Sequence, residues 1–247
     1  MQLILWRKQK LSAIITVCIV AMAVMLCLRL SYWQLQRGEQ KLQQLNELET
    51  RQQQGYLSWK DIEKLPAETN KTGLLLAVTG KVISAHYWLL DNQILNGQVG
   101  YDLLAAVQLT DSQAIVLVNF GWLKAPIKRT ELPEVNWPSQ PIDLKLQLKE
   151  GDLQGYTLAM NAGAESGWPK RIQTIDLAIF SEQLKKPLHP FIGYRKNTTD
   201  VPAIPHYEAV VMGPDKHYAY AVQWLLIGLA CVVIAYFAMR KRSTDEN

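Results

Sequence analysis

The sequence predicts a membrane-anchored α+β chain. Two transmembrane helices flank a mainly antiparallel β domain, a barrel or sandwich with one or two helices of its own. Three observations predict it. Leu11 to Leu28 is an unbroken apolar run without a charge, Gln or Asn. Tyr218 to Met239 is a second such run, with one polar residue, Gln223, near its start. Between them the hydrophobic period falls to two, as in a strand with one buried and one wet face.

About twenty residues, each rising about 1.5 Å, cross the hydrocarbon core of a bilayer. The first span is therefore expected over residues 11–30 and the second over residues 217–239. A cleaved signal peptide is the rival for the first run, and Ala21-Met22-Ala23 is a faint small-x-small site. The apolar run continues past it, which favours an uncleaved anchor. Arg7, Lys8 and Lys10 precede the first span, and Arg240, Lys241 and Arg242 follow the second. The positive-inside rule puts both ends in the cytoplasm, with residues 240–247 as a cytoplasmic tail. Arg29 and Arg37 act against that orientation at the first span, but the second span is clear. The anchor begins about ten residues from Met1, without the Arg- and Ser-rich presequence of a mitochondrial import signal. The expected location is thus the inner membrane of a bacterium, multi-pass, with the central domain in the periplasm.

The stretch from Ser31 to His217 is near neutral, with 19 basic and 20 acidic residues. It has no basic stripe of the kind a nucleic-acid binder shows, and membrane lipid is the expected environment. The three cysteines, Cys18, Cys27 and Cys231, all lie in the apolar runs. The central domain therefore has no disulfide and no C-x-x-C pair, which excludes a thiol redox enzyme and a paired-cysteine copper chaperone.

Residues 31–54 are rich in Gln, Leu and Glu. Leu35, Leu42, Leu45 and Leu48 recur at near-helical spacing, so the first span is expected to run on as a juxtamembrane helix. Residues 55–216 form the central domain. Ser58 with Asp61 predicts a short capped helix ending before Pro66. Leu74 to Ile83, Tyr87 to Leu90 and Ala114 to Phe120 read as strands. Ile142, Leu144, Leu146 and Leu148 alternate with Asp143, Lys145, Gln147 and Lys149 in a half-buried strand. Gly97, Gly100, Gly151, Gly155, Gly163 and Gly167 are expected in turns. Asp91-Asn92 reads as a turn, and Gly121-Trp122 as a strand end with a core Trp. Thr174 to Leu184 reads as a helix capped by Thr174 and stopped before Pro187. Asp200 to Pro214 reads as an extended, flexible connector.

Four blocks in this order resemble the surfeit-locus family of cytochrome oxidase assembly factors. The first is Leu30-Ser31-Tyr32-Trp33-Gln34-Leu35-Gln36-Arg37 with Lys41 one turn on. The second is Leu90-Asp91-Asn92-Gln93, then Gly97 and Gly100-Tyr101. The third is Val116 to Trp122, similar to a family strand that ends Asn-Arg-Gly-Trp. The fourth is His217-Tyr218-Ala219-Tyr220-Ala221-Val222-Gln223-Trp224. Three positions depart from the pattern: Ser31 stands for a usual Gly, Phe120 for the Arg before Gly-Trp, and Ala106 for a common Pro.

The resemblance implies a chaperone of the respiratory chain that binds or delivers haem a to the catalytic subunit of a haem–copper oxidase. Haem a synthase is a further partner. A haem asks for an axial ligand, apolar surroundings and cations for its propionates. Among four histidines, His217 stands at the head of the second span. It shares a helical face with Ala221, Trp224 and Gly228, where small residues admit a neighbouring helix or a flat macrocycle. His217 is the expected iron ligand, and Trp33, Trp224 and Arg37, with Arg29, are expected around the cofactor. The plainer reading makes His217 and the tryptophans interfacial anchors and lets the arginines snorkel to head groups. No G-x-S-x-G, H-E-x-x-H, P-loop or dinucleotide fingerprint occurs, and no enzyme is expected. A cofactor-free scaffold for oxidase subunits and a membrane-anchored sensor that shares only the topology are the alternatives.

Overall fold

The computed structural model describes residues 2–128, 131–153 and 167–245. In chain order the elements are α1 (Gln2–Gln52), β1 (Tyr56–Leu57), α2 (Trp59–Lys64), β2 (Leu75–Leu95), β3 (Gln98–Leu109), β4 (Ile115–Lys124), β5 (Ile142–Glu150), β6 (Lys170–Ile172), α3 (Leu177–Leu184), β7 (Phe191–Arg195) and α4 (Pro214–Asp245). They fall into two compact units: Met1–Glu47 with Val210–Asn247, and Leu48–Ala209.

The helical unit pairs α1 with α4, antiparallel. Both are long and apolar enough to cross a membrane, with mean hydropathy 2.4 and 2.2 in their most apolar windows. The expected continuation of the first span as one helix past residue 31 is observed. Pro214 opens α4, at the position where a missing N–H costs least. The shielded positions of α1 include Val20, Val24, Cys27, Ser31, Gln34, Gly38 and Lys41. Those of α4 include Pro214, His217, Ala221, Trp224, Gly228, Cys231 and Ala235. Both series step by three and four, the heptad spacing of a left-handed helix pair.

The other unit is a barrel. β2 pairs with β3, β3 with β4, β4 with β7, β7 with β5, and β5 returns to the first half of β2. Five strands thus close a ring in the Greek-key manner of an OB-fold. Most pairs are antiparallel; β4 with β7, β2 with β6 and β1 with β2 are parallel. Alternation along the strands fills the interior with Leu76, Leu89, Tyr101, Leu103, Val107, Val118, Phe120, Leu144, Leu146 and Phe191. A second, outer cluster lies under α3, where Trp88, Leu104, Leu117, Ile172, Phe180 and Ile192 pack together. Trp88 stacks on Phe180 at 4.3 Å and donates from Nε1 to Gln183.

Several local expectations are corrected. The two strands read at Leu74 to Ile83 and Tyr87 to Leu90 are one strand, β2. Asp91-Asn92 is a bulge inside β2, where the register shifts and Asn92 takes φ 60°. The hairpin turn is Asn96-Gly97, both at positive φ as a type I′ turn requires. The helix near Thr174 begins at Leu177, capped by Asp176, whose Oδ1 accepts from the Ala178 and Ile179 amides. Ile175 is buried in the outer cluster instead of lying in a first helical turn. The helix at Ser58 stands as expected, with the Asp61 carboxylate accepting from the Ser58 N–H and hydroxyl. Gly100 is not a turn but a strand position against the indole of Trp122. Gly155 and Gly163 lie outside the described residues.

Candidate functional site

His217 lies in the first turn of α4, only 8% exposed. Its Nδ1 is 2.8 Å from Oε1 of Gln34 on α1. One turn further on, the Ser31 hydroxyl donates to the Ala221 carbonyl at 2.9 Å. Tyr218 lies over Gly38, where an added Cβ would stand 2.5 Å from the ring. At Gly228 an added Cβ would stand 3.2 Å from the Cβ of Cys27. The small residues thus bring the two helices close enough for side chain-to-backbone bonding. Of the two neighbours expected against the Ala221–Gly228 face, a helix or a flat macrocycle, α1 takes that place.

Of the residues singled out in the sequence, the seam brings together His217 and Trp224. Trp33 and Arg37 lie on the outward side of α1. Trp33 is 46% exposed, and Arg37 donates to Gln40 on its own helix at 3.0 Å. Arg29 is also exposed. Below Ala221, an open apolar groove of about 380 Å³ follows the seam, lined by Trp224, Val24, Cys27, Leu28, Leu225 and Gly228 among others. Gln34, which faces His217, is visible in the sequence only as part of the first motif block, because an uncharged amide gives no ligand or propionate signal of its own.

A second constellation lies in the barrel unit and draws the remaining motifs together. Asp102 is buried on β3. One of its oxygens is 2.6 Å from Nε2 of His206, and the other accepts from the Asn119 side-chain amide at 2.7 Å. Asn119 Oδ1 in turn accepts from the Gly121 N–H. Gly121 stands at φ 114°, and a Cβ there would lie 2.2 Å from the carbonyl oxygen of Ile204. That carbonyl accepts from the Trp122 N–H, and the Trp122 carbonyl accepts from the Ile204 N–H, both at 2.8 Å. Trp122 Nε1 donates to the Gln93 carbonyl. Tyr207 stacks on Tyr194 at 3.6 Å. The Asp200–Pro214 stretch is therefore not a free connector over its first half: Ile204 to Tyr207 is strapped to the barrel, His206 included. Nor does Gly121-Trp122 end a strand, since β4 continues to Lys124.

The electrostatics agree with this packing. The hydrogen bond to Asp102 holds the His206 imidazole above its ordinary pKa, against the opposing effect of burial. Burial, with Tyr207 and Asp102 adding to it, pushes the Tyr194 phenol well up. Inside the barrel, Arg195 is almost fully buried. Its guanidinium sits 5.7 Å from the centre of the Phe120 ring and donates to Thr199 Oγ1 and the Ala203 carbonyl. Burial lowers its pKa to about 10, so it stays charged near neutrality.

The model of the SURF1 family matches residues 21–229, a span that contains all four sequence blocks. The chain belongs to the SURF1 family. No curated protein matches it. The SURF1 family is one of cytochrome oxidase assembly factors, not of catalysts, and two apolar helices flanking a folded domain agree with a membrane protein of that kind. The departures from the SURF1 pattern have a local setting here. Phe120 offers a ring face to the buried Arg195, where a second guanidinium would meet a like charge. Ser31 uses its hydroxyl to tie the helices together.

Proposed function

We propose that this chain binds haem a as cargo and passes it to the catalytic subunit of a haem–copper oxidase, with His217 as the axial ligand. The observation that carries the reading is the 2.8 Å contact between the His217 Nδ1 and Gln34, a contact that engages one ring nitrogen and would leave Nε2 for a metal. The donor chemistry fits. A neutral imidazole with one nitrogen engaged and the other bearing a lone pair is the usual haem and metal ligand. Trp224 and the apolar groove supply a dry surface beside the seam. Arg29 and Arg37 supply cations on the exposed side of α1. The bound haem would bring the redox-active iron that the oxidase needs, and the chain's own part is to hold and orient it and to keep it out of water. One protein ligand suits a carrier that must release its cargo. Both termini belong in the cytoplasm and the barrel in the periplasm of a bacterial cell, by the basic flanks of the spans. Haem a synthase is the natural donor.

A cofactor-free scaffold is the second reading, and the filled Ala221–Gly228 seam favours it. The two separate in a deletion strain. Loss of the gene lowers assembled oxidase and its haem a signal while subunit transcripts persist. Wild-type protein restores both, and His217→Ala restores neither. Full rescue by His217→Ala would reject the haem reading in favour of the scaffold. An unchanged oxidase in the deletion strain would reject both.

A further inference from the structure

The contact between His217 and Gln34 carries more than helix packing. We infer that Gln34 is a positioning residue: its side-chain oxygen keeps the His217 proton on Nδ1 and so makes Nε2 the nitrogen that faces iron. The part of this that concerns iron rests on the haem reading above.

A carboxamide oxygen only accepts hydrogen bonds, so a 2.8 Å contact from it to Nδ1 requires a proton on Nδ1. In a neutral imidazole the other nitrogen then holds the lone pair. The pairing is built to persist. His217 is 8% exposed, so water does not compete freely for either nitrogen. Gln34 sits in the α1 seam, held there by the Ser31–Ala221 bond on one side and the Gly38–Tyr218 contact on the other. Near the membrane, where alternative partners are few, a buried imidazole N–H without an acceptor is expensive, which sharpens the tautomer preference. This is the arrangement by which an outer partner fixes ring orientation and raises the basicity of a metal-binding histidine. Gln34 is a graded choice for a carrier. It fixes the tautomer as a backbone carbonyl does, without the negative charge that would make the ligand markedly stronger.

The test uses the full-length chain in detergent micelles, with 15N-labelled histidine, first without haem and then with added haem a. In haem-free wild type, the His217 resonances should show a pyrrole-like Nδ1 and a pyridine-like Nε2. Gln34→Leu should mix or reverse the tautomers. Gln34→Glu, which keeps an acceptor oxygen, should preserve the wild-type pattern. With haem, Gln34→Leu should retain it roughly 10–100-fold more weakly, as loss of an outer partner typically does. Gln34→Glu should bind and lower the reduction potential, an effect that a merely structural role would not produce. A proton on Nε2 in haem-free wild type, or a tautomer indifferent to Gln34→Leu, overturns the inference. If wild type shows the expected tautomer, loses it in Gln34→Leu and still binds no haem, the positioning stands and the haem reading falls.

Discussion

Asp102 brings a carboxylate into an almost dry position on β3 and meets donors on two sides, Asn119 within the barrel wall and His206 on the strap. The charged groups acting on His206 are Asp102 and Glu208, and the Asp102 bond raises its pKa. The sign follows from linkage. Stabilisation from protonated His206 is fully present below the unfolded value of about 6.5 and fades as pH rises through the higher folded value. The His206 side chain is partly open to water, 23% exposed, so the effect is small, roughly 1 kcal/mol or less. His189 works in the opposite sense, since burial lowers its pKa and its penalty appears as pH falls. A comparison with His206→Gln cancels that background. Thermal midpoints of the wild type should lose more than those of His206→Gln between about pH 6 and pH 8. Parallel curves would show that the strap is not held by this proton.

At the scale of elements, the helix pair and the barrel differ in how far the sequence exposes them. The two spans are plain from composition, because a bilayer demands an apolar run and little else. Their pairing is not, because the seam is written in Ser31, Gln34, Gly38, Ala221 and Gly228, residues that close approach selects and hydropathy ignores. In the barrel, β5 alternates visibly because its outer face is wet. β3 and β4 are buried on both faces, under α3 and the strap, so their alternation vanishes and β3 carries no strand pattern in its sequence. His217 was legible as a candidate from its place at a span end. Gln34 and His206 were not, since their partners lie 183 and 104 residues away. The pairing can be checked with the native Cys27. Gly228→Cys puts a second thiol where Cβ atoms stand 3.2 Å apart, near the range of a disulfide. Mild oxidation in membranes should join the two spans in most molecules, seen as a shift in gel mobility that a reductant reverses. Failure to crosslink there, with efficient crosslinking from a lipid-facing position such as Leu226, would contradict the seam.

At the scale of the molecule, membership of the SURF1 family sets the task, oxidase assembly, and the fold divides the means between two units. A closed five-stranded barrel leaves few free strand edges and suits a stable folded body. The fold alone does not name a ligand. What singles out the helical unit is a histidine whose ring is already oriented through one nitrogen, at the head of a span. The most direct measurement is the optical spectrum of the full-length protein purified in mild detergent from a host that makes haem a. A Soret band from co-purified haem is expected in the wild type, lost or strongly shifted in His217→Ala although expression and membrane insertion are normal. An unaltered haem spectrum in His217→Ala, or wild-type protein that stays colourless when haem a is supplied, would contradict the haem reading.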